Sequence, residues 1–235
     1  MTVSSPAAPF SSIADRLAAA RVRIVEACIA AGRAPDAVTL TAVTKTQPPE
    51  TVDAALAAGQ RVFGENRVQE AQGRWSGRDR TGLELRLIGP LQTNKAEDAV
   101  RLFDVIETLD RPKLVQALVR AADRTGRRPR CLIQVNIGLE PQKAGAAPED
   151  VPTLLDLARD HGLTIEGLMC IPPADEDPAS HFARLRDLAA RLGLGALSMG
   201  MSGDYPAAIA AGATHIRLGS AFFGDRNPPR ETAEG

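Results

Sequence analysis

Lysine is scarce in this chain: of 28 basic residues, only Lys45, Lys95, Lys113 and Lys143 are not arginine. Arginine supplies charge elsewhere, so a lysine in a structured position suggests a need for an amine, which can shed a proton and condense with a carbonyl. Lys45 is such a residue. It ends the run Val38-Thr39-Leu40-Thr41-Ala42-Val43-Thr44-Lys45, rich in β-branched side chains, and Thr46-Gln47-Pro48-Pro49 cannot extend a strand beyond it. The plainer alternative is a solvated cation at a strand end. Two further stretches suit an anion, Ser198-Met199-Gly200-Met201-Ser202-Gly203-Asp204 and Leu218-Gly219-Ser220-Ala221. Their glycines let backbone N–H groups approach a ligand closely, and their hydroxyls add donors. Glycine and serine are also ordinary loop residues, so neither stretch decides the matter alone. Arg217, between Ile216 and Leu218, is a guanidinium inside an apolar run. It needs an acceptor, either a structural carboxylate or a ligand atom such as a ring nitrogen.

The elements that would position these groups alternate along the chain. Strand-like runs cover 38–45, 61–65, 83–89, 103–108, 130–137, 163–170, 196–200 and 214–219. Helical spacing fills the intervals at 50–58, 67–75, 94–102, 112–125, 148–161, 178–192 and 205–211. Asp177-Pro178 opens one helix, and Gly126, Gly162 and Gly193 close three. Ahead of them, Ser12 with Asp15 marks a helix start, Ile13, Leu17, Ala20, Ile24, Ala27 and Cys28 recur at helical spacing, and Gly32 stops the run. Eight strand–helix units imply a parallel sheet closed into an α/β, single (β/α)8 TIM-like barrel with an extra N-terminal helix; a doubly wound open sheet is the rival. The expected layout is a disordered stretch 1–11, the barrel over 12–226 and a flexible tail 227–235. In such a barrel the C-terminal ends of the strands share one face, and phosphate commonly binds after strands seven and eight. Lys45, both glycine–serine stretches and Arg217 would meet there. An aldehyde for the amine, a phosphate for the loops and a ring nitrogen for the guanidinium together describe pyridoxal 5′-phosphate (PLP).

Several ordered motifs carry a family likeness. Ala42-Val43-Thr44-Lys45-Thr46 is followed by Phe63-Gly64-Glu65-Asn66, then by Ile88-Gly89-Pro90-Leu91-Gln92-Thr93-Asn94-Lys95. Gln134-Val135-Asn136-Ile137 with Lys143-x-Gly145, the stretch 197–202, and Arg217-Leu218-Gly219 before Phe223-Gly224 complete the order. The set resembles the YggS/PROSC family of pyridoxal phosphate homeostasis proteins, from the first helix to about Asp225. The resemblance implies a PLP-binding barrel similar to the N-terminal domain of alanine racemase. It also implies that Lys45 carries PLP as a Schiff base, that Ser202, Gly219 and Ser220 contact the phosphate, that Arg217 faces the pyridine nitrogen, and that Asn66 lies near the cofactor. Three positions depart from the common pattern: Arg86 stands where the family usually has His, Ser220 replaces a commoner Thr, and Pro206 sits early in the last helix. Lys95 and Lys143 read as solvated charges, and Trp75 as a packing residue.

Composition narrows the class further. Net charge is −1 and aromatic residues are 3% of the chain, whereas a nucleic-acid surface needs a basic face with rings to stack on. Cys28, Cys131 and Cys170 are far apart and odd in number, so buried reduced thiols in the cytoplasm are expected. Residues 1–12 lack the cationic start and apolar core of a secretory signal, and no apolar run is long enough for a membrane span. A monomer is expected, no second domain being present to dimerise through. On catalysis, a permanently charged Arg217 disfavours the ring protonation on which carbanion chemistry relies. Two-base racemisation also needs a base opposite the lysine. Tyr205 reads as packing, and His161, His181 and His215 as helix-end or core residues. The expectation is a protein that holds PLP and governs its supply to PLP-dependent apoenzymes, in touch with amino-acid pools and without robust catalysis. A weak PLP-dependent amino-acid racemase is the alternative, with a cofactor-free lysine aldolase behind it.

Overall fold

The computed structural model describes residues 12–219 and Phe223; the expectations for 1–11, for Ser220 and for 227–235 fall outside those residues. Eight short strands follow one another: β1 (Thr39–Val43), β2 (Val62–Glu65), β3 (Glu84–Leu87), β4 (Val105–Leu109), β5 (Arg130–Val135), β6 (Ile165–Cys170), β7 (Ala196–Ser198) and β8 (His215–Leu218). They pair in parallel in sequence order, and β8 closes on β1, with Thr41 opposite Arg217. The expected (β/α)8 barrel is the fold, and the open sheet is not. The helices are α1 (Ile13–Ala30), α2 (Pro49–Ala57), α3 (Val68–Trp75), α4 (Ala96–Leu102), α5 (Pro112–Thr125), α6 (Val151–Asp160), α7 (Pro178–Arg191) and α8 (Tyr205–Ala210).

Local chemistry explains most of the boundaries. Ser12 and Asp15 form a reciprocal capping box on α1, and Asp177 caps α7 through the Ala179 N–H. Pro112 and Pro178 sit in the first turns of their helices, where a fixed φ suits the helix and no N–H is missed. The extra helix α1 packs on α2 and α8 and so covers the closing seam of the barrel. Arg21 Nη2 donates to the Gly59 carbonyl at 3.0 Å, and Arg33 Nη1, just beyond the helix, to that of Ile209 at 2.8 Å, tying both sides of the seam to α1 and the turn that follows it. The first strand is shorter than its sequence suggests. Thr44 still donates to the Gly64 carbonyl, but its own carbonyl accepts from Gln47 N–H at 3.0 Å and Thr46 adopts a φ of 62°, so the chain turns at Lys45.

The main apolar core lies between strands and helices. The barrel interior is different. Among the described residues, Val105, Leu132 and Met169, with Ile171 and Ala196 against them, form a small separate apolar cluster there, where aliphatic layers usually fill a barrel. Buried charge replaces the rest. Arg86 Nε donates to Glu107 Oε1 at 2.5 Å, and Ser198 Oγ to Glu107 Oε2 at 2.5 Å. Strands β4 and β7 are not neighbours, so the second bond crosses the interior. Glu84 accepts from both Arg86 and Arg130, and Arg130 lies 3.4 Å from Glu166, which carries alternating charges down the barrel. Arg86 therefore belongs to the interior, being only 1% exposed. Burial alone would raise the Glu107 pKa; the pull of Arg86 and Arg217, with hydrogen bonds from Ser198 and Arg86, overcomes it and holds the carboxyl below its usual value.

His215, bonded through Nδ1 to Thr214 Oγ1 at 2.9 Å, is pushed down to about 4, by burial first and by Arg86 next. The unfolded chain binds that proton near 6.5 and the fold refuses it until about 4, so acidification through this window favours unfolding. Urea titrations between about pH 7 and pH 5 should show stability declining, and His215→Gln should flatten the decline. An unaltered slope in the variant would contradict the assignment.

Candidate cofactor site

A cavity of about 330 Å³ opens where the C-terminal ends of β1, β2 and β8 meet the loop after β7. Lys45, Asn66, Ser202, Arg217 and Gly219 all line it, so five of the six residues singled out from sequence converge; Ser220 lies outside the described residues. Ile88 and Ile171 supply apolar wall.

Lys45 is exposed and owes its position to neighbours that are not. Glu65, at the end of β2 and fully buried, accepts from Thr44 Oγ1 at 2.6 Å and from Trp75 Nε1 at 2.8 Å. Arg74 Nη1 reaches both oxygens of the same carboxylate at 2.9 Å, while its Nη2 donates to the Gln47 carbonyl at 3.3 Å. One carboxylate thus clamps the turn on both flanks of Lys45 and fixes it to α3. Trp75 does more than pack: besides lying tilted against Phe63 with ring centroids 4.9 Å apart, it supplies one of these donors. Asn66 follows Glu65 directly, and the loop after β3 lies against its backbone. A Cβ at Gly89 would stand 2.2 Å from the Asn66 carbonyl oxygen, so only glycine permits that approach.

The loop after β7 is a closed turn. Gly200 takes a φ of 93° and its missing Cβ would meet that of Ala208 at 2.6 Å, which seats the turn on α8. Asp204 Oδ1 accepts from Met201 N–H at 2.5 Å, and Ser202 and Gly203 form the apex beside the cavity. Arg217, on the neighbouring strand β8, lines the same cavity and is 4% exposed. Its Nη1 donates to Ser198 Oγ at 2.8 Å and its Nη2 to the Cys170 carbonyl at 2.9 Å. Its partners are a hydroxyl and a carbonyl rather than a carboxylate, and it also borders the cavity.

The remaining candidates lie elsewhere. Lys95 is 3.8 Å from Asp98 and does not border this cavity. Lys143 is not the solvated charge expected: the loop after β5 folds back through Asn136, which brackets the backbone of Glu140, and Lys143 is half-buried between Glu140 and the Pro172 carbonyl at 3.1 Å. His181 is paired with Glu176 at 2.8 Å, His161 lies 2.9 Å from the Leu157 carbonyl, and Tyr205 packs on the main core. Glu65 and Glu107 are the buried carboxylates to which sequence reading gave no role. The one signal each gave was a carboxylate inside or ending an otherwise apolar strand. No group of three or more metal-binding side chains, and no helix long and apolar enough to cross a membrane, occurs among the described residues.

The site thus joins a lysine after the first strand of a parallel barrel to a glycine–serine turn after its seventh. The family described as alanine racemase, N-terminal domain, matches residues 19–227, and the chain belongs to that family. Within it the likeness narrows. The pyridoxal phosphate homeostasis protein of Pseudomonas aeruginosa is 44% identical over 225 residues, covering 92% of this chain and 97% of that protein. PipY of Synechococcus elongatus, solved without PLP, is 40% identical with a TM-score of 0.80, covering 91% of this chain and 100% of that one. The same protein solved with PLP bound gives 39% identity, a TM-score of 0.76 and the same coverage. The chain is a member of the pyridoxal phosphate homeostasis protein family.

Replacing Glu65 by Ala leaves Arg74 and the indole N–H of Trp75 without their acceptor and opens the turn that carries Lys45. Breaking a buried pair from one side costs ~3–5 kcal/mol, and urea unfolding should show a loss of that order. Stability within ~0.5 kcal/mol of the parent would mean that the clamp contributes nothing.

Proposed function

We propose that this chain is a PLP-binding protein of intracellular PLP homeostasis that holds the cofactor on Lys45 as a Schiff base. The observation that carries the reading is the convergence of an amine, an anion-binding turn and a fixed guanidinium on one cavity, contributed by β1, the loop after β7 and β8. When bound, PLP supplies an electrophilic aldehyde, a phosphate and a pyridine ring. The residues present fit it. Gly203 has nothing within 4 Å of where a Cβ would stand and Gly219 only Val43 at 3.6 Å, so with the Ser202 hydroxyl they leave room for a phosphate; Ser220 would add a second hydroxyl. Ile88 and Ile171 give the cavity an apolar wall, and Asn66 adds a polar group to the same lining as the lysine.

Arg217 sets the chemical character of the site. A guanidinium is a donor only, so it satisfies an unprotonated ring nitrogen and opposes its protonation. That favours storage over carbanion chemistry, which draws on a protonated ring as electron sink. The potential second bases, Tyr205, His161 and His181, are engaged away from the cavity. The chain is a carrier, working as a monomer in the cytoplasm, and PLP-dependent apoenzymes are the recipients.

Purified protein incubated with PLP should take on the visible absorption of a lysine Schiff base, and Lys45→Ala should lose it. An identical spectrum in the variant would move the link to another residue. Incubation of the loaded protein with L-amino acids in deuterated water should leave Cα unlabelled; labelling that depends on Lys45 would make the protein an enzyme instead.

A further inference from the structure

Glu107 does not border the cavity, yet it is fully buried and charged. An ionised carboxylate held within a barrel needs a purpose as well as a partner, and its two oxygens face different tasks. Oε1 accepts from Arg86 Nε at 2.5 Å; Oε2 accepts from Ser198 Oγ at 2.5 Å. The Ser198 hydroxyl in turn accepts from Arg217 Nη1 at 2.8 Å. Directions in this chain are forced. Arginine only donates and an ionised carboxylate only accepts, so the Ser198 proton points at Glu107 and its lone pair at Arg217. The hydroxyl, otherwise a free rotor, has one orientation.

Arg217 is then held at two points, Nη1 on Ser198 and Nη2 on the Cys170 carbonyl at 2.9 Å, and two points fix the plane of a guanidinium. No carboxylate pairs with Arg217 directly among the described residues; the nearest compensating charge is Glu107, one hydroxyl removed. That spacing matters. A direct bidentate pair would occupy the donors on one edge of the guanidinium and draw it down into the barrel, whereas a hydroxyl between the charges stabilises the cation and leaves it at the cavity wall. Arg86 keeps Glu107 ionised and in place, and Glu84 and Arg130 continue the alternation.

We propose that Glu107 is a positioning residue for the cofactor ring: acting through Ser198, it fixes the Arg217 guanidinium so that its free edge meets the pyridine nitrogen. The inference rests on the reading above that Arg217 faces that nitrogen. Removing Glu107 leaves the hydroxyl free to turn and the guanidinium free to tilt, with the cavity lining itself unchanged.

The test is a pair of dissociation constants, for PLP and for its 1-deaza analogue, in which C–H replaces the ring nitrogen, measured with the parent protein, Glu107→Gln and Ser198→Ala. The parent should prefer PLP by about tenfold or more, the value of a charge-assisted hydrogen bond. Both variants should lose most of that preference by weakening for PLP while holding the analogue as tightly as before. Ser198→Ala keeps the Arg86–Glu107 pair and carries the test alone if Glu107→Gln does not fold. If the variants weaken for both ligands equally, or keep the full preference, Glu107 is only structural and the inference falls while the reading of Arg217 stands. If the parent shows no preference, Arg217 does not read the nitrogen, and both fall together.

Discussion

A guanidinium buried in a barrel must be answered by negative charge, and the interior of this protein is arranged around that need. Arg217 is answered through Ser198 by Glu107, Glu107 by Arg86, Arg86 by Glu84, and Glu84 by Arg130 at the other end. Such a chain is a poor source of stability, since desolvation offsets much of the attraction, and an aliphatic filling would serve a barrel better. What it supplies is position. A hydrophobic interior could not hold a cation at the cavity wall with its plane fixed.

The same logic recurs on the other side of the site. Two buried glutamates serve its two ends: Glu65 holds the turn that carries the amine, and Glu107 holds the hydroxyl that orients the guanidinium. Neither borders the cavity. Each sits on a strand, the most rigid part of the scaffold, while the groups they direct lie at the turn after β1 and near the end of β8. The exposed Lys45 thereby inherits strand-level precision. The family's motifs make physical sense in these terms: Thr44 and Glu65 bond each other, Gly89 lets its loop lie against Asn66, and Gly200 seats the glycine–serine turn on α8.

Much of this was legible from sequence because it is local. β-branched runs, proline at helix starts and glycine at helix ends are decided by a residue and its near neighbours, so all eight strands and the helices around them could be read. Boundaries drifted where the backbone turned in a way that residue types do not announce. The first strand stops at Val43 because Thr46 adopts a left-handed φ, and α4 is preceded by a 3-10 turn at Thr93–Lys95. Lys45 and Arg217 stood out because their chemistry is unusual for their positions, Ser202 and Gly219 because they fall in glycine–serine stretches after the last two strands, and Asn66 only through the family resemblance. The two glutamates did not stand out, because their meaning lies in partners far along the chain: Glu107 meets Ser198 across the barrel, and Glu65 meets Thr44 from the next strand. Lys143 was misjudged for the same reason, its partner Pro172 lying on another loop.

The central claim is a covalent one, that the ε-amine of residue 45 is the attachment point of the cofactor. Borohydride reduction of the PLP-loaded protein, followed by proteolysis and mass spectrometry, tests it directly. A phosphopyridoxyl adduct on the peptide containing Lys45 is the predicted result. An adduct mapped to Lys95, Lys113 or Lys143 instead, or none at saturating PLP, would contradict it.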